Sequence, residues 1–132
     1  MIGVAGLAEV VLNVRDMDAS LEFYRDLLGL QAVSPPEMTS PVFLRAGDAG
    51  AGLPSLVVLV QLPPDAPRFA SPRPLHHFAL SLPPNELETA ERILSAAGLE
   101  VRSGQHPTLG LRTLYVFDPD GNEVEFIAAN GE

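Results

Sequence analysis

Glu9, Gln61, His77, His106, Tyr115 and Glu125 of this 132-residue chain are of types that hold a divalent cation or move protons. A neutral imidazole with carboxylates is a nitrogen–oxygen set suited to a divalent first-row metal. Ligands on separate strands of a rigid sheet need no local spacing, so their placement within a repeated unit is the signal. Singly, each has an ordinary structural reading. His77 is a polar residue at a strand start, Glu9 a solvated one, Gln61 a partner for a loop, and His106 an idle histidine in Gln105-His106-Pro107. One His and two Glu on one strand face together point to a metal or polar-ligand site.

The elements that must position them follow from hydrophobic periodicity. Glu9-Val10-Val11-Leu12-Asn13-Val14 is rich in β-branched residues and reads as a strand. Asp16 or Asp18 caps a helix with apolar positions Met17, Leu21, Tyr24 and Leu28, ended by Gly29. An extended stretch from Leu30 to Val33 follows, then strands Val42 to Arg45 and Leu56 to Leu62 around a Gly-rich loop, 47–54. After a proline-rich crossover (63–75) the pattern returns. His76 to Leu82 is a strand, Asn85 with Glu88 forms a capping box for a helix ended by Gly98, and Leu99-Glu100-Val101 is extended. Arg112 to Phe117 and Glu123 to Ala128 form a hairpin closed by Asp118-Pro119-Asp120-Gly121-Asn122. Glu9 matches His77, and Gly29 matches Gly98, at nearly one offset. The fold class is therefore α+β: one domain of two βαβββ modules, about 7–62 and 76–129.

Alternation along the strands sorts side chains into faces. Val10, Leu12 and Val14, Phe78, Leu80 and Leu82, and Val124 with Phe126 form apolar rows to lie beneath the helices. Glu9, His77 and Glu125 are left on the opposite face. A symmetric hairpin turn sets Tyr115 directly across from Glu125. Gln61 ends the corresponding strand of the first module as its one polar residue.

Composition bounds the function. Seventeen acidic against eight basic residues give a net charge of −9, which disfavours nucleic-acid and membrane-surface binding. The absence of cysteine removes disulfides, thiolate metal sites and a cysteine nucleophile. Met1 to Val14 has no basic leader region, and no apolar run approaches the roughly 18 residues of a membrane span, so a cytoplasmic protein is expected.

At these residues the chain resembles the vicinal oxygen chelate superfamily, which includes glyoxalase I, fosfomycin and bleomycin resistance proteins, epimerases and extradiol ring-cleaving dioxygenases. The carriers are Val10 to Asp16, Phe23-Tyr24 through Leu28-Gly29-Leu30, His77-Phe78-Ala79, and Tyr115 to Glu125. The resemblance implies a curved mixed sheet with the helices on its convex side, and a divalent metal (Fe, Mn, Ni or Zn) held by Glu9, Gln61, His77 and Glu125. Gly104-Gln105-His106, Leu114-Tyr115, Asp118-Pro119-Asp120-Gly121 and Glu125 are together similar to the extradiol dioxygenase signature. That similarity implies Glu125 as iron ligand, with His106 and Tyr115 assisting proton transfer and substrate binding at a catechol-like aromatic. Those dioxygenases have a His where Glu9 stands. One His with two carboxylates is more oxygen-rich and suits non-redox metals in lyase or isomerase members. A glyoxalase- or epimerase-like enzyme, or a non-catalytic drug- or metabolite-binding protein, are the alternatives. A small-molecule ligand is expected in each case, and a homodimer by analogy with the family.

Overall fold

The computed structural model describes residues 1–131, which fall into two compact units, Met1–Pro67 and Arg68 onward. Each carries a four-stranded mixed sheet with one helical segment, in the β-α-β-β-β order expected. No helix among the described residues is long and apolar enough to cross a membrane.

In the first unit β1 (Glu9–Val14) leads to α1 (Met17–Leu21), whose N-cap is Asp16 rather than Asp18: its carboxylate accepts from the Ala19 N–H at 3.1 Å. α1 runs straight into a π-helical segment, Glu22–Leu27, where the Leu28 N–H reaches back five residues to the Phe23 carbonyl. Apolar spacing cannot distinguish this wider turn from an α-helix. β2 (Gln31–Ala32), β3 (Val42–Gly50) and β4 (Leu53–Gln61) follow, and the sheet order is β1-β4-β3-β2, with β1 parallel to β4. Leu12, Val14, Val42, Leu44, Val57 and Leu59 share the buried face, with Phe23 and Tyr24 packed edge-to-face. The expected Gly-rich loop is instead the tip of the β3–β4 hairpin. Register shifts between Arg45 and Gly50 absorb the glycines, and Gly47 and Gly50 take the positive φ these irregularities need.

The second unit repeats the scheme with β5 (Phe78–Leu82), α2 (Leu87–Ala96), β6 (Arg102–Gln105), β7 (Arg112–Phe117) and β8 (Glu123–Ala128), in order β5-β8-β7-β6. Leu114, Val116, Val124, Phe126 and Ala128 are buried on the face against which α2 packs, with Leu94 from the helix. Each such side chain contributes about 1.5–3 kcal/mol of apolar burial if large. Of the apolar rows expected beneath the helices, Leu12, Val14, Val124 and Phe126 are buried, while Val10, Phe78, Leu80 and Leu82 are half-buried.

Several local expectations change. Asn85 does not cap α2. It sits at φ 65° and its Oδ1 accepts from the Gly131 N–H at 3.1 Å, so it ties down the chain after β8. The second strand of the module is Arg102–Gln105, not Leu99 to Val101, because the Leu99 N–H is drawn back onto the Leu94 carbonyl at the helix end. Residues 76 and 77 precede β5 rather than begin it, so strand alternation does not govern their side chains.

The Asp118 turn is built as its residues imply. Asp118 Oδ1 accepts from the N–H groups of Asp120 and Asn122, and the Arg73 guanidinium donates to Asn122 Oδ1 and the Asp120 carbonyl. The turn is symmetric, and it pairs Tyr115 with Glu125 and Phe117 with Glu123.

Candidate functional site

The second unit's sheet presents one face away from α2. Pairing across β6, β7 and β8 puts Arg102, Tyr115 and Glu125 in one row, with Ala79 of β5 beside Glu125. His77 lies two residues before Ala79, and its Nε2 reaches Glu125 Oε1 at 3.2 Å. Glu125 is 4% exposed, unusual for a carboxylate unless it is paired.

The imidazole has a second partner. His76 Nδ1 and His77 Nδ1 lie 2.7 Å apart. A shared proton between them leaves His77 Nε2 as a lone-pair donor only if His77 Nδ1 carries the hydrogen, the tautomer a ligating imidazole requires. Adjacent residues in a regular strand face opposite sides, so alternation would part these two. They meet because the strand has not yet begun.

Tyr115 stands on the other side of Glu125, its ring 6.0 Å from the His77 ring in an edge-on arrangement. Its hydroxyl accepts from Thr113 Oγ1 at 3.0 Å. Gly104 makes room for it: a Cβ there would lie 2.8 Å from Tyr115 Cε2. Arg102 lies over the Phe117 ring at 4.4 Å and near Tyr115 at 5.9 Å, and donates to Glu123 Oε1 at 3.3 Å. His76, Arg102 and Thr113 escape sequence reasoning, and Gly104 enters it only as part of the dioxygenase-like motif, without its packing role. Only the tandem His76-His77 is a visible mark, and ladder register is what brings the others together.

His106 is placed differently from its expected role. Its backbone N–H continues the β6–β7 ladder onto Leu111, and its Nδ1 accepts from the N–H groups of Thr108 and Leu109, each at 3.2 Å. The imidazole organises its own loop. Among the described residues it forms no hydrogen bond with Tyr115 or Glu125. A pocket of about 450 Å³ adjoins this loop, lined by Gln105, Leu111, Arg112 and the start of α2, at the far end of the sheet from Glu123.

In the first unit Glu9 is exposed at the start of β1. Gln61 does not join it. Glu9 pairs with Leu56 and Gln61 with Val14, five positions further along, or roughly 16 Å at strand spacing. The Gln61 amide is engaged as a clasp: Oε1 accepts from the Met17 N–H at 3.1 Å, and Nε2 donates to the carbonyls of Arg15 (2.8 Å) and Leu62 (3.0 Å). The ladder counterpart of Glu125 is Val58. Ala79 pairs with Glu125, and its repeat-mate Val11 pairs with Val58. The uniformly apolar run Leu56 to Val60 gives no mark of that register, and matching strand ends points to Gln61 instead.

Within the second unit, the fit to a cation can be judged from the pair itself. Two ligand atoms 3.2 Å apart have the spacing of neighbours on one cation with bonds of about 2.0–2.2 Å. The donor set, imidazole nitrogen and carboxylate oxygen, suits Zn, Mn, Ni or Fe. No third His, Asp, Glu or Cys among the described residues of this unit completes a cluster.

Comparison with known proteins extends this geometry. The family model of the Glyoxalase/Bleomycin resistance protein/Dioxygenase superfamily matches residues 6–126. A catechol-2,3-dioxygenase of Bacillus subtilis (strain 168) is 29% identical over 120 residues, covering 89% of this chain but 39% of that protein. The chain thus spans about two-fifths of the length of that relative. Among solved structures, a glyoxalase/dioxygenase from Nostoc punctiforme superposes with TM-score 0.75 at 21% identity, covering 95% of this chain and 91% of that one. An integron cassette protein from the mobile metagenome of Halifax Harbour sewage outfall gives 0.69 at 26% identity, over 95% and 99%. A lactoylglutathione lyase from Agrobacterium tumefaciens gives 0.67 at 22%, over 95% and 94%.

Proposed function

We propose that this chain, which belongs to the Glyoxalase/Bleomycin resistance protein/Dioxygenase superfamily, is a metal-dependent extradiol ring-cleaving dioxygenase acting on a catechol-like aromatic. The observation that carries this reading is the pair His77 Nε2–Glu125 Oε1 at 3.2 Å, with Tyr115 in register beside it. The likeness to a catechol-2,3-dioxygenase supports it.

In this reading His77 and Glu125 hold the metal, and His76 keeps the ligating tautomer of His77. A bound Fe(II) would supply a chelating site for vicinal oxygens and an open position for dioxygen. Tyr115 flanks the position a ring would take, and its hydroxyl is a donor for one substrate oxygen. Thr113 and Gly104 keep that hydroxyl in place. His106 is the proton-transfer group the resemblance implies. It serves only after its loop releases Nδ1, or through Nε2. Ring opening would incorporate both atoms of dioxygen into the product.

Glu9 favours a second reading. An exposed carboxylate where the dioxygenases have a His suits a non-redox metal and an enediolate-stabilising lyase or isomerase.

One experiment separates them. Protein loaded with Fe(II) is mixed with catechol in an oxygen electrode, and protein loaded with Ni, Mn or Zn is assayed with a hemithioacetal. Oxygen uptake with a yellow ring-opened product supports the first reading. Turnover only in the second assay replaces it.

A further inference from the structure

We propose that Arg102 is an anion seat on this face, taking a carboxylate carried by the ligand. The proposal rests on the reading of His77, Glu125 and Tyr115 as one site and adds a substrate class to it: an aromatic that bears an acid group.

The chain has eight basic residues and no lysine, so its cations are all arginines. Ladder alternation puts Arg102 on the face of Tyr115 and Glu125, whereas Arg112, paired with Gln105, belongs to the opposite face. The guanidinium lies over the Phe117 ring and near that of Tyr115, a cation–π contact that favours its place on this face. Only Nη1 is engaged, by the 3.3 Å contact to Glu123.

The other edge is the telling part. Nε and Nη2 are buried and have no hydrogen-bond partner. A guanidinium donor shielded from water and left unpaired is costly, and an arriving acceptor would remove that cost. Nε and Nη2 are also the two parallel donors that match both oxygens of a carboxylate. The side chain as a whole is 38% exposed, so Arg102 sits at the rim of the face, where an incoming acid group would meet it. A protein of net charge −9 repels anions in general. One that takes an acidic ligand needs a dedicated cation, and Arg102 is the arginine this face has.

The test is binding, which needs no turnover. Benzoate and its neutral counterpart benzyl alcohol are titrated by NMR into wild-type protein, Arg102→Gln and Arg102→Lys. Wild type is expected to prefer benzoate. Arg102→Gln should weaken benzoate about tenfold or more while leaving benzyl alcohol unchanged. Arg102→Lys, with charge but no fork, should fall between. Equal affinity of wild type for the two probes, or an equal loss of both in Arg102→Gln, overturns the proposal. So does an Arg102→Lys variant that binds benzoate as wild type does. Metal content of Arg102→Gln, measured alongside, is expected to be unchanged. A failed catechol assay with benzoate preference intact removes the dioxygenase reading and leaves the anion seat standing.

Discussion

His77 Nε2 and Glu125 Oε1 lie 3.2 Å apart, although one belongs to the chain just before β5 and the other is buried in the last strand. The pair combines an imidazole 35% exposed at its side chain with a carboxylate 6% exposed. Water has access to one member and almost none to the other, an arrangement suited to a ligand that arrives from outside.

If Glu125 is a metal ligand, its buried carboxylate is a burden on the metal-free protein. Glu125→Leu should therefore lose metal binding while the metal-free protein is as stable as wild type, or more stable by up to about 2 kcal/mol. Denaturant melts of metal-stripped protein, with metal analysis of the loaded form, check both halves. A strongly destabilised Glu125→Leu would make the carboxylate a structural element instead.

His76 should act through His77. His76→Ala is expected to reduce metal affinity about 10–100-fold without removing a ligand, as outer partners of metal-bound histidines do. Competition with a chelator measures the change. A His76→Asn variant, which retains a hydrogen-bonding side chain, should recover part of it. Equal affinity in His76→Ala and wild type would sink this role.

Tyr115 depends on the missing side chain at 104. Gly104→Ala would bring a methyl to 2.8 Å from Tyr115 Cε2, and overpacking of this kind costs about 1–3 kcal/mol. Combining it with Tyr115→Ala should relieve most of the cost, so the double variant is more stable than additivity predicts. Urea titration of the four proteins closes the cycle.

Gln61 is held by structural hydrogen bonds. Its amide ties the ends of β1 and β4 to the start of α1. Gln61→Leu is expected to cost about 0.5–1.5 kcal/mol, the net worth of hydrogen bonds that water can partly replace. Metal content per folded molecule should not change. A loss of metal at full stability would return Gln61 to the ligand set.

Much of this is legible in the residues. The duplicated β-α-β-β-β unit, both hairpin strands around the Asp118 turn and the Tyr115–Glu125 pairing follow from alternation, helix stops at Gly29 and Gly98, and turn chemistry. These are local rules, and they fail where other contacts intervene, as at Asn85 and Leu99. That His77 and Glu125 share a face is read from the sequence, but their direct contact and the part of His76 are not. Register between β5 and β8 joins residues some fifty positions apart, and it is set by tertiary packing of apolar rows that look alike at several offsets. The same ambiguity leads from strand ends to Gln61, whereas the ladder position equivalent to Glu125 is held by Val58, which carries no polar mark. His76, Gly104 and the unpaired edge of Arg102 emerge only where the backbone leaves strand alternation or where three strands align side by side. Residue order alone thus dictates which elements form and which faces they bury. Packing in three dimensions selects which of the exposed polar groups meet, since contact depends on a register that no single strand encodes.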